Sequence, residues 1–156
     1  MNRWAIITGI AALAAALLLG GCARPAAPVA PTMPDPNTDP TALRLQDLAG
    51  DVLLYFARHR RLPSSLVELG ASIPGGDPSL VTDPASRLPF VYQVHGPVIA
   101  HFPGRLLMYQ PVAGPGPGRW VLLLDDSGRT GRLGTFVQYV PETLLQAALT
   151  PATKPN

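Results

Sequence analysis

A single cysteine, Cys22, leaves nothing for a disulfide to close on, so the 156-residue chain is not a disulfide scaffold. Charge is scarce as well: 14% of residues are charged and the formal net charge is +2, which fits neither a polybasic nucleic-acid binder nor a highly charged disordered chain. Aromatic residues make up only 6%. What is abundant is proline, 19 residues, and glycine, 15, beside a 47% hydrophobic fraction. A length near 150 residues sets an expectation of one domain.

The chain begins with MNRWAIITGIAALAAALLLGGC: one basic side chain, Arg3, then an apolar stretch from Trp4 to Leu19, then small residues. That order is the three-part plan of a secretory signal. The stretch is 16 residues long, whereas a membrane-spanning helix needs roughly 20. A cleaved signal over residues 1–21 is therefore expected. Its end, Leu19-Gly20-Gly21-Cys22, resembles the lipobox of bacterial lipoproteins. The resemblance implies cleavage between Gly21 and Cys22, a diacylglyceryl group on the Cys22 thiol and acylation of the new amino terminus. Small residues let the backbone enter a peptidase, and a thiolate is the nucleophile that takes lipid. Each buried lipid CH2 contributes ~0.8 kcal/mol, and two acyl chains suffice for stable anchoring. The implied location is the cell envelope, lipid-anchored and facing the periplasm or the cell surface. Ala23 stands where the family's inner-membrane retention signal places Asp, which favours the outer membrane.

Loss of the signal takes Arg3 with it and leaves one more basic than acidic residue, so no strong field steers a charged partner. Residues 22–40 are expected to be the lipidated Cys and a Pro-rich tether, with six prolines between Ala23 and Pro40 and almost no large apolar side chain. Fully extended, at ~3.1 Å per residue, it reaches roughly 50 Å.

Residues 41–150 are expected to form one α+β domain: a long N-terminal helix packed on a small antiparallel sheet of about four or five strands, and a short C-terminal helix. Residues 151–156 read as a disordered tail. Asp39-Pro40 is a helix start signal, and Leu45, Leu48, Ala49, Val52, Tyr55 and Phe56 make one apolar face to about His59, with Leu62-Pro63 as the stop. Ser65 and Glu68 have capping-box spacing, with Gly70 as the end of a short helical turn. Between Gly70 and Pro89 the composition predicts an irregular crossing segment. Strands are expected at 90–95, 98–102, 106–110, 120–124 and 135–140, with 120–124, apolar on both faces, at the centre. Asp126-Ser127-Gly128 and Gly114 to Gly118 are expected to be hairpin connections, and Pro141 to Leu149 a closing helix.

The run from Leu53 to Leu69, then Asp83-Pro-Ala-Ser-Arg-Leu-Pro-Phe-Val-Tyr92, then Met108 to Pro111 and Trp120 to Gly128, resembles the globular part of major pseudopilins of type II secretion systems. The chain departs from that family in lacking a prepilin-peptidase motif and the long apolar helix that polymerises. The resemblance implies a pilin-like domain that does not enter a filament in the usual way. Some pseudopilins bind calcium in C-terminal loops, and the nearby residues here are Asp125, Asp126 and Ser127. Calcium takes six to eight oxygens, and two carboxylates in a tight turn more often only form the turn, so no metal site is assigned.

No catalytic constellation stands out. His95 and His101 flank Gly96-Pro97 on what read as neighbouring strands, but zinc needs three or four ligands and no Cys or carboxylate cluster is near. His59 complements a helix C-terminus, and Arg58, Arg60 and Arg61 read as a solvated face. No nucleophile elbow is present. The expectation is a non-enzymatic lipoprotein without a cofactor or nucleic-acid partner, bound to a membrane through its lipid and to a protein. The alternative is a lipoprotein that binds a small ligand or calcium, or an enzyme, using a site built from the sheet and the crossing segment 71–89.

Overall fold

The computed structural model describes residues 33–125 and 133–150. The signal, Gly21 and Cys22, most of the tether, Asp126 with the turn that follows it, and the tail lie outside the described residues. All described residues belong to one compact unit.

Helix α1, Pro40–His59, starts where the Asp39 carboxylate accepts the amides of Thr41 (2.9 Å) and Ala42 (3.2 Å). Proline sits at N1, where its missing N–H costs nothing. The helix ends at Arg60, which turns left-handed (φ 57°) while its N–H still reaches the Phe56 carbonyl. The stop thus comes from Arg60, ahead of the Leu62-Pro63 pair. Residues just before α1 also depart from a free spacer: Asn37 donates to the Asp35 carboxylate, and the Asp39 amide to the Asp35 carbonyl.

Helix α2, Leu66–Ser72, is capped by Ser65, whose hydroxyl accepts from the Glu68 amide. The reciprocal half of the box is altered, because Glu68 binds the amide and hydroxyl of Ser64. Gly70 is inside the helix, buried against Val81, and Ile73 is the cap. A 3-10 turn at Pro78–Val81 interrupts the otherwise irregular crossing segment.

Four antiparallel strands follow in meander order: β1 Val91–Tyr92, β2 Arg105–Tyr109, β3 Gly118–Asp125 and β4 Gly134–Pro141. Helix α3, Glu142–Leu149, closes the chain. The fold is α+β as the pattern predicts, with the expected strand β3 in the interior. One strand is overturned. Residues 98–102 form turns, with a single bridge from Val98 to Arg105, and the 90–95 strand shrinks to two residues. Pro97 and Pro103 cannot donate to a ladder, and left-handed His101 and Gly104 bend the chain away. His95 and His101 are exposed on turns rather than on paired strands.

The sheet is buried on both faces. Trp120, Leu122 and Leu124 of β3 join Leu45, Leu48 and Val52 of α1, while Val121 and Leu123 join Leu145 of α3 and Ile99. In β2 the alternation breaks: Leu106 faces α3, and both Leu107 and Met108 pack on the α1 side. A register shift between Leu106 and Met108 supplies the extra residue, the local signature of a β-bulge.

Candidate functional site

Three polar clusters hold the connections in place. At the α1–α2 corner, the Glu68 carboxylate accepts from the Tyr55 hydroxyl, from Arg61 and from Ser64. Those hydrogen bonds, Arg61 first, hold its pKa far below the usual carboxylate range. Arg61 also lies over the Tyr55 ring, 5.4 Å from its centroid, so this member of the basic trio is engaged rather than free. Tyr92 of β1 donates to the Pro63 carbonyl at 2.7 Å, and burial pushes its hydroxyl up to about 12.

Asp83 is the second cluster. It is fully buried and accepts from the Thr41 hydroxyl (2.6 Å), the Ser86 hydroxyl (2.6 Å) and the amides of Ser86 and Ala85. Burial pushes its pKa up, but the hydrogen bonds from Ser86, Thr41 and Ala85 outweigh it and the net shift is downward. Asp83 thereby pins the crossing segment to the first turn of α1.

The third cluster seals the opposite face. Arg119 forks onto both Glu142 oxygens (2.8 and 2.7 Å) and donates to the Pro111 carbonyl (2.9 Å), tying β3 to α3 and to the end of β2.

Beside the Asp83 cluster, among the first turn of α1, the β2–β3 connection and the sheet, lies a cavity of about 250 Å3. Its walls include Pro34, Pro40, Pro115, Gln110, Trp120 and Tyr139. A neighbouring cavity of about 240 Å3 shares Ala85, Gln110, Gly114 and Pro115 with it. Trp120 and Tyr139 meet edge to face, ring centroids 5.2 Å apart. The Tyr139 hydroxyl accepts the Gly118 amide at 2.9 Å. That approach needs glycine at 116 in the β2–β3 connection, where a Cβ would stand 2.3 Å from the Tyr139 hydroxyl, and at 118 in β3, where a Cβ would stand 2.3 Å from the Val140 carbonyl.

Two polar side chains here are unspent. Trp120 Nε1–H is buried without a partner, the one such side-chain atom among the described residues. Gln110, 5% exposed, makes no hydrogen bond through its amide to a described residue, and it lines both cavities. The sole carboxylate in the larger lining, Asp39, is occupied as the α1 cap.

Sequence reasoning missed this site. It did assign the crossing segment and the sheet as possible walls, and Ala85 and Ser86 come from that segment. Gln110 appeared only as the end of a strand and Trp120 only as a core residue. Nothing in their spacing signals that the β2–β3 connection folds back over them. Asp125 closes β3 opposite Gly134 and has its own interaction, whereas Asp126 is outside the described residues. Among the described residues, no group of three or more His, Cys, Asp or Glu converges as a metal site, and no helix is long and apolar enough to cross a membrane.

Comparison with protein-family models, with curated proteins and with solved structures finds no match to this chain.

Proposed function

We propose that the protein is a lipid-anchored lipoprotein of the bacterial cell envelope, whose pseudopilin-like α+β domain is a non-catalytic module that binds a protein partner, with a link to type II secretion or envelope assembly. The lipobox Leu19-Gly20-Gly21-Cys22 after an apolar stretch supports the anchor. The order of helix, short helix, Asp83-Pro84 turn and closing antiparallel hairpins supports the pseudopilin likeness. The observation that carries the binding role is the pair of adjoining cavities around Gln110, whose lining is neutral apart from the spent Asp39 carboxylate. Each is below the ~300 Å3 at which small-molecule pockets begin. A chain laid across both fits better than an enclosed molecule. The small-ligand reading draws on the same cavities and yields if a protein partner is captured.

Cys22→Ser is expected to abolish metabolic palmitate labelling and to release the protein from the membrane fraction. Retention of the variant in membranes would sink the anchor. Cross-linked purification of the tagged wild type, with Cys22→Ser as control, is expected to enrich secretion or envelope-assembly proteins. A clean purification without a partner moves the assignment to the small-ligand reading.

A further inference from the structure

We propose that the protein forms a two-fold dimer in which strand β4 of one copy pairs antiparallel with β4 of a second copy, joining the two sheets edge to edge. Among the described residues the sheet order ends at β4, whose one strand neighbour is β3. The Glu142 N–H donates to the Pro117 carbonyl at 2.9 Å, and Gly118 stands opposite Pro141, so residues 117 and 142 form a hydrogen-bonded pair. Bonded and non-bonded pairs alternate along an antiparallel ladder. Gly134, Phe136, Gln138 and Val140 therefore bond to β3, while Thr135, Val137 and Tyr139 turn their N–H and C=O groups outward. Tyr139 is only 9% exposed, so the accessible edge is 134–138. An open row of backbone donors and acceptors is matched by another extended chain. The opposite edge of the sheet offers no such row, since β1 is two residues long. Strand β4 runs for eight, without a charged residue and without a register shift against β3. It thus lacks the charges and bulges that blunt an edge, and Pro141 comes only at its end.

What selects a second copy is the pattern of 134–138, which is self-complementary about Phe136. Centred there, Thr135 of each copy meets Val137 of the other in a hydrogen-bonded pair, and each pair exchanges two N–H to C=O bonds. Phe136 falls in the non-hydrogen-bonded pair between them, where side chains come closest, and meets Phe136 of the second copy. Its ring is 39% exposed in the single copy, on the α3 face that Val140 shares, so pairing covers apolar surface. Gln138 meets Gly134 of the second copy, which has no side chain to obstruct it. No like charges face each other along the seam. A two-fold axis closes the pair and can stand along the membrane normal, so both copies run back to the proposed anchors in one bilayer. The seam is short against the ~800 Å2 per partner of a stable interface, so the dimer exchanges and is best caught by a covalent trap.

The test places single cysteines on this edge of the full chain in detergent and oxidises with copper phenanthroline. Mass spectrometry of the linked peptides keeps Cys22 from being mistaken for them. Phe136→Cys is expected to link to itself, because opposed Cα atoms in a non-hydrogen-bonded pair are ~4.5 Å apart, within the disulfide range. Gln138→Cys should not link to itself, its counterpart lying about 13 Å along the seam, but should link to Gly134→Cys when the two variants are mixed. Thr135→Pro removes an outward N–H and leaves the bonds to β3 in place. Added to Phe136→Cys, it should slow linking at least tenfold. Circular dichroism melts report whether each variant folds, and the mixed Gly134→Cys and Gln138→Cys arm tests the register without a proline. No self-linking of folded Phe136→Cys, equal self-linking of Gln138→Cys, no linking in the mixture, or a rate unchanged by Thr135→Pro would each overturn the proposal. A dimer neither requires nor supplies the protein partner proposed above, so a monomeric result leaves a captured partner standing.

Discussion

The two faces of β3 are built from the same alternating run, yet they end differently. On the α3 side, Val121 and Leu123 sit in a small apolar cluster closed by a forked Arg119–Glu142 ion pair. On the α1 side, Leu122 and Leu124 lie deep under the helix, and Trp120 at the strand's start belongs to the same buried cluster but is also cavity wall. The difference comes from cover. Helix α1 runs 20 residues and α3 only 8. The first turn of the longer helix meets the crossing segment and the β2–β3 connection, and packing three irregular pieces at one edge leaves space.

The largest effects should come from core truncation. Leu122→Ala and Leu123→Ala both open cavities at fully buried positions and should cost ~2–5 kcal/mol. Leu122 is expected at the upper end, because the larger α1 cluster around it has less freedom to collapse than the thin α3 cover around Leu123. Chemical denaturation measures both, and equal losses would erase the proposed distinction between faces.

Next comes the Asp83 lock. Removing the acceptor in Asp83→Ala strands the Thr41 hydroxyl and the Ser86 amide and should cost about 2 kcal/mol. The pH dependence has a definite sign. The folded-state pKa of Asp83 lies below its ordinary 3.8, so its contribution is complete above that value and is lost as pH falls through the folded-state pKa. Glu68 acts the same way from 4.5 downward. Melting temperature should therefore drop below about pH 4 in the wild type, and less steeply in Asp83→Ala; parallel curves would remove Asp83 from the account.

The smallest effect sharpens the α3 side. Arg119 and Glu142 are partly exposed, with side chains 15% and 31% accessible. Arg119→Ala should cost about 1 kcal/mol, most of it salt-sensitive. A double-mutant cycle with Glu142→Ala at low and high salt separates the ion pair from Arg119's bonds to the β2–β3 connection. A coupling energy of zero would leave the carbonyl contacts as the reason for Arg119.

The long helix was legible to the residue, because Asp39-Pro40 and a three-to-four apolar spacing are local signals. The central strand was legible too, since an apolar run on both faces has few other uses. Residues 98–102 misled for the same local reason: Val98, Ile99 and Phe102 look like strand residues, but prolines at 97 and 103 deny them partners. Gly70 misled because a glycine near a helix end resembles a cap, whereas here it admits Val81. The site was less legible still, because no motif joins Ala85, Gln110 and Trp120.

By itself the sequence determined an α+β domain, the span of its long helix, its doubly buried central strand and the expectation of a lipid anchor at Cys22. These follow from signals a few residues long: caps, periodicity and a short processing motif. Only the tertiary structure decided that Asp83 holds the start of α1, that a bulge in β2 sends Leu107 and Met108 to one face, and that Gln110 opens into two cavities. Each of those depends on residues far apart in the chain meeting at one edge, and such meetings are set by packing rather than by any local pattern.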